Sequence, residues 1–170
     1  MLFRSGITRA EQDEFAVRSQ RLAAENRAAF AREIVPVSGR DGVVAQDEHP
    51  RADTTMDALA KLAPAFRKDG TVTAGNASGI NDGAAMVLLA GDDALRAHGL
   101  VSRARVVASV AVGCDPATMG LGPVGAIRRL CEITGWRLGD VDAIEINEAF
   151  AVQTLGCVRE LGLDIAKLNQ

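Results

Sequence analysis

Apolar positions recur with helical spacing through the first thirty residues. Phe15, Leu22 and Phe30 stand among Ala16, Val17, Ala23, Ala24, Ala28 and Ala29, opposite Glu14, Arg18, Arg21, Glu25 and Arg32. No glycine or proline interrupts residues 9–32, so the stripe predicts one amphipathic helix whose charged side is a solvated face. Thr8, followed three residues later by Glu11, starts it as a capping box in which each side chain satisfies an orphan backbone donor. The β-branched run 33–37 is broken by Pro36 and reads as an edge strand. Residues 38–50 are polar, with Gly39 and Gly42, and read as an exposed loop. Asp53 and Thr54 then cap a short helix that runs to Lys61 or Leu62 and is closed by Pro64.

The pattern changes at Thr71. Residues 71–85 hold three glycines and four alanines, and only Asp82 is charged. The continuously apolar run 84–90 that follows predicts a buried strand. A helix over 92–98 stops at Gly99. Residues 104–112 predict a strand, 123–134 a helix ended by Gly135, 141–146 a strand, and 149–161 a helix ended by Gly162. Strand and helix alternating at this spacing imply an α/β layered architecture. Met1–Ser5 shows no pattern leading into the first cap, and the chain stops in a polar stretch where an α/β domain continues with a strand. The expectation is a piece of a longer protein.

Composition narrows the partners. The 170 residues are 48% hydrophobic and 24% charged, with 19 basic and 22 acidic side chains giving a net charge of −3. No strongly basic face exists to displace counterions from a phosphate backbone, so no nucleic acid is expected. Aromatics are 4%, with no tyrosine and the single Trp136, which disfavours base-stacking platforms. No apolar run approaches the ~20 residues of a membrane span, and no secretory signal is visible. The three cysteines lack a CxxC spacing, so neither a disulfide framework nor a metal site is expected. A reducing, cytoplasmic setting follows from these features.

Candidate chemistry is sparse. Cys131 and Cys157 fall within amphipathic helices and read as small hydrophobes. Cys114 follows a predicted strand, but Asp115 beside it disfavours a thiolate, so it too reads as structural. His49 lies in a proline-containing turn and His98 at a helix C-terminus, where a cation suits the dipole. Residues 74–83 match neither GxGxxG nor GxxxxGK[ST], so no nucleotide-phosphate cradle is indicated. Their small side chains fit either a slender ligand or a tight internal seam. Asn147-Glu148-Ala149-Phe150 sits where a predicted strand meets a helix. Asn147 there is either a helix N-cap or a fixed donor at the ligand end of an α/β strand.

Taken together, residues 71–85 and Asn147-Glu148-Ala149-Phe150 resemble the thiolase family. The likeness extends through Asp47-Glu48-His49-Pro50-Arg51, Leu62-Ala63-Pro64-Ala65-Phe66 and Met119-Gly120-Leu121-Gly122-Pro123-Val124, in family order from Gly6 onward. It implies an αβαβα layered fold, of which this chain is part, and acyl transfer between coenzyme A thioesters through a cysteine acyl-enzyme. No permanently bound cofactor is implied; the coenzyme A thioester is a substrate. By motif, Asn147 matches the asparagine that holds an oxyanion-stabilising water. Ser78, Ala74 and Ile80 match the lining of the pantetheine tunnel, Arg51 and Phe66 flank the nucleotide end of coenzyme A, and Met119 and Phe150 match walls of the acyl pocket. Homodimers or homotetramers are implied for the intact protein.

The resemblance also sets expectations about what this chain lacks. The family's nucleophilic cysteine belongs to a segment before Gly6, and none of Cys114, Cys131 and Cys157 lies in its motif. The Gly-His-Pro histidine and the second cysteine belong after Gln170. The expected division is 1–80 as the latter part of a coenzyme-binding loop region, 81–100 as the end of an N-terminal half-domain and 101–170 as the start of a C-terminal one. Alone, the chain is expected to be inactive. The alternative is a thiolase-like protein that binds coenzyme A or acyl lipids without chemistry.

Overall fold

A computed structural model describes residues 5–170; Met1–Arg4 lie outside the described residues. Helix α1 (Arg9–Glu25) begins at Thr8 with the predicted capping box complete: the Glu11 amide donates to Thr8 Oγ1, and the Thr8 amide donates to Glu11 Oε2 at 2.7 Å. The helix does not continue to Arg32. At Asn26 the side-chain amide turns back to the Leu22 carbonyl (3.0 Å), and a separate turn, α2 (Arg27–Phe30), follows. A short amide side chain that competes for helix carbonyls is a natural break. Phe30 consequently stays half exposed instead of extending the apolar stripe.

The next stretch also differs from expectation. Residues 33–36 form no strand. Instead β1 (Val37–Gly39) and β2 (Gly42–Val44) pair antiparallel, with Val37 opposite Val44. Gly39 and Gly42, read above as loop residues, flank the two-residue turn, and Gly42 takes φ +129°, which favours glycine. Helix α3 (Met56–Ala60) is capped by Thr55 rather than by Asp53 or Thr54, through the Ala58 amide. Helix α4 (Asp92–His98) ends at Gly99, α5 (Gly122–Thr134) at Gly135 and α6 (Ala151–Leu161) at Gly162, each as predicted and each in the left-handed conformation.

The core gathers where α1, α5 and α6 meet the last turn of the chain. Phe15, Val124, Ile146, Ala151, Cys157, Leu163 and Leu168 are buried there, with Leu121, Ile127, Leu155 and Leu161 packed around them. Full burial of each large apolar side chain contributes about 1.5–3 kcal/mol. Arg18, read from sequence as part of a solvated face, instead crosses the Phe15 ring at 5.9 Å and donates to the Leu168 carbonyl at 2.6 Å. It ties α1 to the chain's end.

The three strands predicted over 84–90, 104–112 and 141–146 are not built. Residues 84–90 and 104–112 have no ladder partner among the described residues. Met86, Val87, Leu88 and Leu89 are 97%, 79%, 82% and 75% exposed. A strand exists only as one side of a ladder, and no other described segment pairs with these two. Of 141–146, only Ile144 pairs, in a single parallel bridge to Leu168. No helix among the described residues is long and apolar enough to cross a membrane.

Candidate functional site

Two motifs seventy residues apart in sequence are joined by backbone hydrogen bonds. The Ser78 amide donates to the Ala149 carbonyl at 3.0 Å, and the Ala151 amide donates to the Asn76 carbonyl at 2.9 Å. These bonds frame an antiparallel bridge between Ala77 and Phe150. The small-residue stretch and the Asn147–Phe150 turn thus form one surface.

Helix α1 anchors that surface from below. Asn76 is buried; its Oδ1 accepts from the Thr73 amide (2.8 Å), and its Nδ2 donates to Asp13 Oδ1 (2.8 Å) and to the Thr71 carbonyl (3.1 Å). The other Asp13 oxygen accepts from Arg9 Nε at 2.7 Å, and Arg9 also reaches the carbonyls of Leu59 and Leu62. Both oxygens of Asp13 and both polar atoms of the Asn76 side chain thus have partners, which is the condition for tolerating their burial. The spacing of Arg9 and Asp13, four residues apart, brings both onto one side of the helix.

Two of the three glycines in 71–85, Gly75 and Gly79, lie against side chains of the chain itself. A Cβ on Gly75 would overlap the side chains of Leu59 and Leu62, and one on Gly79 would overlap the His49 imidazole. A Cβ on Gly83, the third, would meet open space. The outward side of the same loop differs, since Ala74, Ser78 and Ile80 are all exposed. Between α1 and the loop lies a cavity of about 250 Å³ bordered by Ser19, Gln20, His49, Ser78, Asn81 and Glu148.

The predicted site residues divide into those gathered at this surface and those standing apart. Ser78 borders the cavity and donates its hydroxyl to the Gly79 carbonyl at 3.0 Å. The Phe66 and Phe150 rings meet edge to face, with centroids 6.1 Å apart, a favoured aromatic geometry. Asn147 is exposed, and its side chain makes no hydrogen bond to any described residue. It is not a helix N-cap: Phe150 occupies that position of α6, which starts at Ala151 rather than Ala149. Met119 is exposed in the 3-10 turn Pro116–Leu121. Arg51 is also exposed, held by its backbone amide donating to Gln20 Oε1 at 2.6 Å.

The cysteines separate by environment. Cys157 is fully buried, and burial pushes its thiol pKa up despite the hydrogen bond from Gln153; nearby Glu160 raises it further. It remains a protonated, inert thiol. Cys114, expected to be buried, is exposed. Among the described residues no group of three or more His, Cys, Asp or Glu is arranged to hold a metal ion. Sequence reasoning missed Asp13, Ser19 and Asn169, whose roles depend on partners 21 to 129 positions away. Glu148 was visible only as part of its motif.

Comparison with known proteins agrees with this arrangement. The thiolase N-terminal domain matches residues 1–93 and the thiolase C-terminal domain residues 100–170. A beta-ketoadipyl-CoA thiolase of Acinetobacter baylyi is 50% identical over 96% of this chain. The crystal structure of Bacillus anthracis acetyl-CoA acetyltransferase superposes with a TM-score of 0.92 and 48% identity over 99% of the chain. Human mitochondrial 3-ketoacyl-CoA thiolase in complex with CoA does so with a TM-score of 0.92 and 44% identity over 98%. The chain spans 43–44% of the length of these three proteins. With sequence, fold and the junction of the two motifs in agreement, this chain belongs to the thiolase family.

Proposed function

We propose that the surface formed by residues 73–80 and 147–151 is the coenzyme A-facing part of a thiolase acting on acyl-CoA thioesters by acyl transfer, either condensing acetyl-CoA or cleaving a 3-ketoacyl-CoA. The observation that carries this reading is the backbone junction from Ser78 to Ala149 and from Asn76 to Ala151. It brings the outward edge of the small-residue loop beside the turn that bears Asn147. Ala74, Ser78 and Ile80 would line the pantetheine arm, whose amides need polar partners along a narrow path. Arg51 and Phe66 would flank the nucleotide end of coenzyme A. Met119 and Phe150 would wall the acyl group.

Asn147 would hold a water against the thioester carbonyl. A fixed amide donor that makes no other bond is suited to this, because charge developing on the oxygen is then met by a dipole already in place. The acyl-carrying cysteine is not proposed among Cys114, Cys131 and Cys157. Residues 1–80 would serve as loop region, 81–100 as the end of the first half-domain and 101–170 as the start of the second. A cytoplasmic homodimer or homotetramer is proposed for the working enzyme.

Titrating the chain with acetyl-CoA while following backbone amide resonances tests the site. Shifts at Ser78, Ile80 and Asn147 are expected, and shifts confined to other regions would refute it. The purified chain should give no turnover of acetoacetyl-CoA. Groups that act as a catalytic unit lose nearly all rate when one is missing.

A further inference from the structure

We propose that Ser19, Glu148 and Asn169 form a clamp that sets the direction of Asn147, making them positioning residues of the same site; this rests on the thiolase reading above. Asn147 is exposed and makes no side-chain hydrogen bond among the described residues, yet the residues on either side of it are held on the clamp. On one side, the Asn169 side-chain amide pairs with both backbone groups of Ile146. Its Oδ1 accepts from the Ile146 amide at 2.8 Å, and its Nδ2 donates to the Ile146 carbonyl at 2.8 Å. The side chain thus imitates a neighbouring strand where no strand runs. On the other side, Asn169 Nδ2 donates to Glu148 Oε1 at 2.7 Å, and Ser19 Oγ donates to Glu148 Oε2 at 2.6 Å.

The clamp is anchored at its own ends. The Asn169 amide donates to the Ile144 carbonyl at 2.9 Å, and the Ile144 amide to the Lys167 carbonyl at 2.8 Å. Asn169 takes φ +45°, the one positive φ at a non-glycine position among the described residues. Asparagine tolerates that conformation better than most residues. Glycine would adopt it freely but would supply no amide. Ser19 belongs to α1, the helix whose Asp13 fixes Asn76. One rigid element therefore references both the Ser78 loop and the Asn147 turn, and a few tenths of an ångström at either motif change the distance between them. Precise placement of a donor relative to a bound carbonyl is what such a supporting arrangement provides.

The test reads backbone order at Asn147 by ¹⁵N relaxation in the full chain and its variants. Asn147 is expected to behave as rigid backbone, with an order parameter near ~0.85. Asn169→Gly keeps the permitted backbone and removes the amide; Glu148→Ala removes the shared acceptor. Each should drop Asn147 below ~0.6 while the amides of α6 keep their order. Glu148→Gln should restore it, because its carbonyl accepts from Asn169 and its amide donates to Ser19 Oγ. Ser19→Ala should give an intermediate loss. Unchanged order at Asn147 in both Asn169→Gly and Glu148→Ala overturns the clamp, as does an equal loss throughout α6, which marks these residues as merely structural. Acetyl-CoA titration of the unsubstituted chain tests the function separately. If no shift appears at Ser78 or Asn147, the thiolase site fails whatever the variants do.

Discussion

Apolar content and burial run in opposite directions in two regions of this chain. Around α1 and α6, Phe15, Ile146, Cys157 and Leu168 are buried, and Asp13 and Asn76 pair beside them. Across 84–90 and 104–112, valines and leucines face outward with no ladder beside them. The difference does not lie in hydrophobicity. The first region finds its partners within the chain, as Ser19 finds Glu148 and Asp13 finds Asn76, whereas the second is patterned for neighbours that no described segment provides. Burial is a property of a pair of surfaces, and a sequence records only one of them.

The largest effect that would break this contrast lies in the buried triad. Asp13→Ala removes the shared acceptor of Arg9 and Asn76 and should cost about 2–3 kcal/mol, since the buried Asn76 amide loses an acceptor and the partly exposed Arg9 its counter-charge. Urea unfolding followed by circular dichroism measures it. The seam comes next. Gly75→Ala meets the side chains of buried Leu59 and of Leu62 and should cost about 1–3 kcal/mol, whereas Gly79→Ala, which meets only the end of the exposed His49 side chain, should cost less. A Gly75→Ala variant as stable as the unsubstituted chain would remove the close approach as the reason for glycine.

Smaller again is the start of α1. Thr8→Ala should cost about 1 kcal/mol. The hydrogen bonds from Thr8 hold the Glu11 carboxyl below its usual range, with Arg159 adding to the effect. A depressed folded-state pKa contributes stability above the unfolded value near 4.5, and that contribution is lost as pH falls through the folded one. Glu11→Gln should therefore flatten the acid limb of the stability profile below that value. The least effect is expected in the open region. Met86→Ser with Leu88→Ser should change stability by no more than about 0.5 kcal/mol, while reducing binding of an apolar dye. A large loss there would mean that the run is packed after all.

What was legible in the sequence follows the same division. Local chemistry could be read directly: the Thr8–Glu11 cap, the stops at Gly99, Gly135 and Gly162, and the motifs at 71–85 and 147–150. These signals reside in a few adjacent residues. The break at Asn26 and the hairpin across Gly39 and Gly42 were missed because helical periodicity outweighed one asparagine and because a polar stretch concealed a two-residue turn. The glycines of 75 and 79 were ambiguous for a physical reason: a ligand and a leucine from the same chain demand the same absence of a side chain. Asn147 also had two readings until the start of α6 at Ala151 removed the capping one.

Native-state hydrogen exchange, read residue by residue, tests most directly whether α1 holds the two motifs together by contacts internal to this chain. The Ser78 and Ala151 amides, which donate across the motif junction, should be protected as strongly as the interior of α1, and amides at 86–89 should exchange at nearly unprotected rates. Rapid exchange at Ser78 and Ala151, with α1 still protected, would contradict the account.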